Sequence, residues 1–493
     1  MPHETVPIPK TRGWVRLLIA FVVAFDVAAF FQWADGAFQS EFGGHPDEAT
    51  HYLTGLRVRD AALHTWDRAH VGGVQHPMAA LRRTPASDAA QGAWMLVFGT
   101  SRIAALLFMA ALAAATTTLI FGVVRREFGD WAAVTAALLW LCAPAVRESY
   151  ETILPELSIA FLTTLAGVLC ARWLDAANTR LPASRHWSVH SLSWIGPGVA
   201  ALGIAAILKS MPGDPRAFWP FLKSGALNLG IAAAMFAIVG LVIRRRSDVP
   251  PNAVWVTMLA FITGVHVARC LKVGISDVRV LIVATPALAM FAVRGAVSLA
   301  GIVGSQTAIA REFSRRRALW IFLLLLLALP PDLLSHRQKE WQGFGPAALA
   351  LIEESRGVSL ALVVSDPRGE GMLISEIAMH DPQRQISIER GSETLVDAAG
   401  SAPRGRPMER FLEDEQLFAH LTSGRIRYIV LDSAVPEETH AGYHDQVRRV
   451  LENNVRSFWP IADSPIIRDG EPQGHPLRIF RVMKPDGADL QPQ

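Results

Sequence analysis

The stretch EFGGHPDEATHY, residues 41–52, sets two carboxylates side by side, Asp47 and Glu48, just beyond the first long apolar run. A carboxylate in that setting can take a proton from a hydroxyl, orient a polar partner or bind a cation. The pair also stands where a helix should begin, because EATHYLTGLRVRDAALHTW continues with helical apolar spacing at Tyr52, Leu53, Leu56 and Ala61-Ala62-Leu63. Acids at a helix start are favoured by the exposed backbone N–H groups and the macrodipole. Taken alone, the pair is accounted for by that position, and anything more must come from its surroundings.

Other polar residues invite chemistry and are weighed the same way. His45, His51 and His76 lack the i, i+3 or i+4 spacing of a helical metal pair, so a zinc centre is not expected. Lys209, Arg269, Lys272 and Arg279 fall at the ends of apolar runs, where a cation can snorkel to the interface or hold an anion. Glu156, in ETILPELSIAF, either lines a cavity as a second acid or pairs with Arg147. Asp26, in the middle of the first run, is expected to face other helices, because a mid-membrane charge costs about 2.5–3.5 kcal/mol on insertion scales. SDPRGEGMLISE, residues 365–376, places glycines between a strand and a helix. It lacks the Gly-Lys-Ser/Thr of a nucleotide loop, so it reads as a plain strand-to-helix turn.

The elements that must position these residues are mostly apolar. The 493 residues are 51% hydrophobic and only 18% charged, against about 25% charged in soluble proteins. The runs 14–34, 94–124, 131–146, 153–173, 194–210, 224–243, 252–271, 280–299 and 318–334 predict an α-helical polytopic membrane protein of about nine spans. The first run is too long for a cleaved signal core and reads as a retained anchor. Basic clusters after alternate runs, among them Arg125-Arg126, Arg244-Arg245-Arg246 and Arg315-Arg316-Arg317, place one set of loops in the cytoplasm together with the N-terminal tail 1–13. The loop 35–93 and the segment from 335 then face outward. The loop is long for a connection and predicts one or two amphipathic helices on the membrane surface. Residues 335–493 have soluble composition. Strands at 358–366, 425–433 and 476–484 and helices at 408–421 and 444–455 predict a soluble α/β domain. Cys142, Cys170 and Cys270 form no disulfide or metal pattern.

This ordered series resembles the multi-spanning glycosyltransferases of the GT-C fold. The nearest likeness is to the protein O-mannosyltransferase and aminoarabinose-transferase group, glycosyltransferase family 39, and to proteins with the RgtA/B/C/D-like domain. The resemblance rests on Asp47-Glu48-Ala49-Thr50-His51-Tyr52 opening an outer loop after one span, and on His76-Pro77-Met78 further along that loop. It continues with Glu156 after Leu-Pro near the start of a later span, Lys209 ending GVAALGIAAILKS, and Arg279 in DVRVLIVATPALAMF. It covers residues 14–334 and departs from the group's pattern at Met78 and Val280.

The resemblance implies transfer of a sugar from a polyprenyl-phosphate donor to an acceptor glycan, lipid or protein outside the cytoplasm. Asp47 would be the general base of an inverting displacement, and Glu48 would orient the acceptor or bind a cation. Lys209 and Arg279 would meet the donor phosphate. Tyr52 and His76 would position the acceptor or the loop, with Glu156 as a possible second acid. No cofactor is implied beyond a possible divalent cation. Membrane lipids are expected partners and nucleic acid is not, in a bacterial inner membrane with a cytoplasmic N-terminus. The rival reading is a transporter or flippase without group transfer. Its functional acids would lie at mid-membrane, and the paired halves usual in transporters are absent from the sequence.

Overall fold

The computed structural model describes residues 12–43, 45, 47–63, 85–178, 236–238, 240, 255, 282–304, 339–355, 357–401, 407–437, 439–468 and 474–483. These fall into two compact units, one built from 1–32, 107–151 and 155–336, the other from 33–106, 152–154 and 337–493.

Among its described residues the first unit is helical. It takes in α1 (Arg12–Ala34), while α2 (Glu48–Ala62) and α3 (Ala86–Phe98) belong to the second unit. Then come most of α4 (Arg102–Phe128), α5 (Asp130–Leu141), α6 (Pro144–Tyr150), α7 (Pro155–Asn178) and α8 (Thr285–Gly304). Among the described residues three helices are long and apolar enough to cross a membrane: Gly13–Ala34, Arg102–Phe128 and Pro155–Trp173. The predicted run 94–124 is broken at Gly99, whose φ of +88° ends α3 before α4 begins. The runs 194–210 and 318–334 lie outside the described residues, as do nearly all of 224–243 and 252–271. Within this unit, a Cβ on Gly295 of α8 would sit 1.9 Å from the Phe236 carbonyl oxygen, so glycine is what permits so close a backbone approach. Trp140 of α5 donates its indole N–H to the Thr285 hydroxyl at 3.1 Å, giving a buried polar group its partner. Asp26 is exposed on α1 rather than turned toward other helices, as is most of that helix's apolar surface.

The second unit joins the loop helices α2 and α3 to the C-terminal α/β elements: α9 (Phe344–Glu354), β1 (Ser359–Val364), α10 (Pro367–His380), β2 (Ile386–Arg390), α11 (Gly391–Thr394), β3 (Val396–Ser401), β4 (Pro407–Glu409), α12 (Asp414–Leu421), β5 (Tyr428–Asp432), α13 (Gly442–Asn453), β6 (Phe458–Ile466) and β7 (His475–Val482). The sheet runs β2-β1-β5-β7-β6, and β3 and β4 form a separate hairpin. β1 pairs in parallel with β2 and with β5, while β7 is antiparallel to both β5 and β6. Both faces of β1 are covered, which is why it reads as an unbroken apolar run. Ala361 and Val363 join a core with Trp341, Phe344, Leu351 and Met372, and Leu362 and Val364 join one with Leu417, Tyr443 and Val447.

The strands at 358–366, 425–433 and 476–484 and the helix at 444–455 appear as β1, β5, β7 and α13, within a few residues of the predicted bounds. The helix predicted over 408–421 does not hold throughout. Its first residues pair as β4 against β3, and the helix starts only at Asp414, where acids fill the first turn. Among its described residues the loop forms α2 and the start of α3, but Tyr52 and Leu56 of α2 are buried in protein, with α2 packed on α3 and α10.

Candidate active site

The acid pair divides at the start of α2. Asp47 is the N-cap, with φ −84° and ψ −12°, and its side chain makes no capping hydrogen bond among the described residues. Its carboxylate is 67% exposed and lies 3.6 Å from His45 Nδ1. That nitrogen also accepts the Asp47 backbone N–H at 3.1 Å. Glu48, by contrast, is 3% exposed, and its Oε1 accepts the Ile153 N–H at 3.0 Å. One acid is anchored and its neighbour is presented.

The residues around them hold α2 in place. The buried Tyr52 donates its hydroxyl to the Thr100 carbonyl at 2.7 Å and packs on Phe42 with ring centroids 4.8 Å apart. Desolvation raises its ionisation well above the ordinary tyrosine value. His51 Nδ1 lies 3.1 Å from the buried Asp88 carboxylate of α3, which also accepts the Ser87 hydroxyl. Asp60, near the end of α2, is bound by Arg384 through Nη2 at 2.7 Å and Nε at 3.2 Å.

Three acids that local sequence gave no reason to single out belong to this neighbourhood: Glu41, Asp60 and Glu376. Glu41 Oε1 accepts the N–H groups of Gly343 at 3.1 Å and Gly345 at 2.7 Å, and Oε2 accepts that of Phe344 at 2.9 Å. The carboxylate thus caps the first turn of α9 from some three hundred residues away in sequence. Burial, and next the Glu376 charge, push Glu41 up to about 7. Arg102 pairs with Glu376. Only the side-chain type could have hinted at these acids, since their partners come from the far end of the chain.

Elsewhere, Glu156 is half-buried in the first turn of α7. Arg147, weighed as its partner, donates Nε to Glu151 at 3.3 Å and lies over the Phe31 ring. His76, Lys209, Arg269, Lys272 and Arg279 lie outside the described residues. Among the described residues no group of three His, Cys, Asp or Glu side chains is placed to hold a metal ion. The glycine-rich turn after β1 is closed by its own side chain. Asp366 accepts the N–H groups of Arg368 and Gly369, so the start of α10 is capped, as a plain strand-to-helix turn requires.

No family profile matches this chain, and no curated protein matches it. The chain is similar to solved structures along nearly its whole length. One is ArnT from Cupriavidus metallidurans bound to undecaprenyl phosphate, at 13% identity and a TM-score of 0.47, covering 94% of this chain and 98% of that one. Another is the apo state of the same protein, at 12% identity and 0.49, covering 95% and 98%. Likeness at this level transfers no residue's role.

Proposed function

We propose that the chain transfers a sugar from a polyprenyl-phosphate donor to an acceptor on the outer face of a bacterial inner membrane, with inversion. The observation that carries this reading is the division of the acid pair: Glu48 is buried and tied to the Ile153 N–H, while the adjacent Asp47 carboxylate is exposed and unused as a cap. If the pair served only to start α2, the N-cap side chain would be expected to accept an N–H of the first turn. A general base needs the reverse, a fixed backbone and an accessible oxygen.

In the proposed step, Asp47 takes the proton of the acceptor hydroxyl as its oxygen attacks the anomeric carbon. The bond from that carbon to the phosphate oxygen breaks, and polyprenyl phosphate leaves with the bonding electrons. Lys209 and Arg279 would meet the growing phosphate charge, because fixed cations gain most where charge develops. Glu48 would hold the loop and orient the acceptor, Tyr52 and His76 would position the loop, and Glu156 would serve as a second acid.

Asp47→Asn tests the reading. Transfer from a labelled polyprenyl-phosphate sugar in purified membranes should fall by about 10²–10⁴-fold, with the protein inserted and expressed normally. Undiminished transfer in that variant would remove Asp47 from the mechanism. Movement of a lipid-linked substrate across vesicles without sugar transfer would instead favour the transporter reading.

A further inference from the structure

We propose that the C-terminal sheet domain positions the acid pair and does so through Glu41, an inference that rests on the transferase reading above. Residues 35–41 run beside 339–345 and are tied to them by backbone. The Lys339 N–H donates to the Asp35 carbonyl at 3.0 Å, and the Glu41 N–H donates to the Trp341 carbonyl at 2.7 Å. The Ser40 hydroxyl accepts the Trp341 N–H at 3.3 Å. The Glu41 side chain then closes on the start of α9 with three backbone N–H groups bonded to one buried carboxyl group.

The receiving backbone is shaped for this. Gly343 has φ +112°, and a Cβ there would meet the Pro465 carbonyl oxygen at 2.3 Å. The contact also extends toward Asp47. A Cβ on Gly43 would lie 2.5 Å from the Trp341 ring, so the chain is pressed on the domain two residues past Glu41, and Phe42 packs at a tilt against Tyr52 of α2. Downstream, Asp60 ties the other end of α2 to Arg384, and α2 packs on α10. Asp47 therefore lies between two anchors on one domain. Glu41 touches no reacting atom in this scheme, so it is a positioning residue. A misplacement of about 1 Å at a reacting group can cost about 10²-fold in rate, which makes such an anchor consequential.

The test uses the full chain in lipid nanodiscs with two measurements: hydrogen exchange of the 42–52 peptide, and transfer kinetics. Glu41→Ala should raise exchange in 42–52 by about tenfold or more while the β1, β5 and β7 peptides stay protected. It should lower kcat by about 10–100-fold with the donor KM changed by less than about twofold. Glu41→Gln keeps one carbonyl oxygen for Gly343 and Gly345 but turns an amide NH2 toward the Phe344 N–H, so it should recover part of both and lie between Glu41→Ala and wild type. Unchanged protection in 42–52, equal loss of protection across the whole sheet, or loosened 42–52 with unaltered kcat would each overturn the proposal. A wild-type chain that transfers no sugar would sink the transferase reading. In that case the exchange measurement alone still decides whether the domain anchors the loop.

Discussion

At the ends of β1 and β5, Asp366 and Asp432 are buried and share the guanidinium of Arg468, with the Ser365 hydroxyl donating to Asp432 at 2.6 Å. At the start of α2, Asp47 is two-thirds exposed beside a histidine that already accepts a backbone N–H, and its neighbour Glu48 is buried. The first region is where parallel strands end and where ligands often sit in open α/β sheets. Here it is filled by two buried carboxylates that share one guanidinium and also accept backbone N–H groups, Asp366 those of Arg368 and Gly369 and Asp432 that of Ala434. The second lies in a connecting segment, yet it leaves a carboxylate unspent. The difference teaches that acid chemistry is read from what a carboxylate lacks: a buried acid with a fixed cation stabilises, whereas an exposed acid on an anchored backbone is available to react.

Removing the cation tests the first region most sharply. Arg468→Met should strand two buried carboxylates and destabilise the sheet by about 3–5 kcal/mol, seen as faster hydrogen exchange in β1 and β5. Unchanged exchange would mean that the cluster is not held by the shared guanidinium. A smaller effect comes from a buried acid whose neutral form is favoured. Burial raises Glu370 to about 7, although the Ser392 hydroxyl and N–H oppose the shift. The native state then holds a proton that the unfolded chain loses near pH 4.5, so stability is greatest at low pH and falls as pH rises through 7. Glu370→Gln should flatten that slope, removing a dependence of up to about 3 kcal/mol between pH 4.5 and 8 in denaturation of the sheet. If the slopes of wild type and variant coincide, Glu370 does not titrate as described. His444, whose burial lowers its proton affinity, contributes with the opposite sign, since its share of stability is lost as pH falls. The smallest effect falls on the second region. Glu48→Ala removes the acceptor of the Ile153 N–H and should cost about 1.5–3 kcal/mol locally, with transfer reduced less than by Asp47→Asn. A loss of transfer as deep as that of Asp47→Asn, with local exchange unmoved, would shift the proposed base to Glu48 and invert the comparison.

The parts legible in the sequence are those whose cause is local. β1 and β5 stand inside the sheet and are buried on both faces, and β7, also inside, buries Leu477 and Ile479, so branched and aromatic residues cluster in these strands. β6 escaped notice because FWPIADSPI carries Pro460 and Pro465, which argue against a strand. It is tolerated as an edge strand, where a missing N–H is left without loss. The helix expected over 408–421 failed at its start because pairing with β3 outweighed the apolar spacing. Asp47 and Glu48 could be picked out as a pair, but nothing adjacent distinguishes the anchored acid from the presented one.

What the sequence by itself determined is the material: apolar runs long enough for a membrane, a soluble α/β segment, and two acids at a helix start. These follow from composition and from periods of two and 3.6 residues, which each segment carries within itself. The tertiary structure decided which acids are spent. Glu48 found the Ile153 N–H, Glu41 found the first turn of α9, Asp366 and Asp432 found Arg468, and Asp47 was left presented to solvent. A carboxylate's role depends on the dielectric and the donors within a few ångströms of it, and those are supplied by residues up to three hundred positions away.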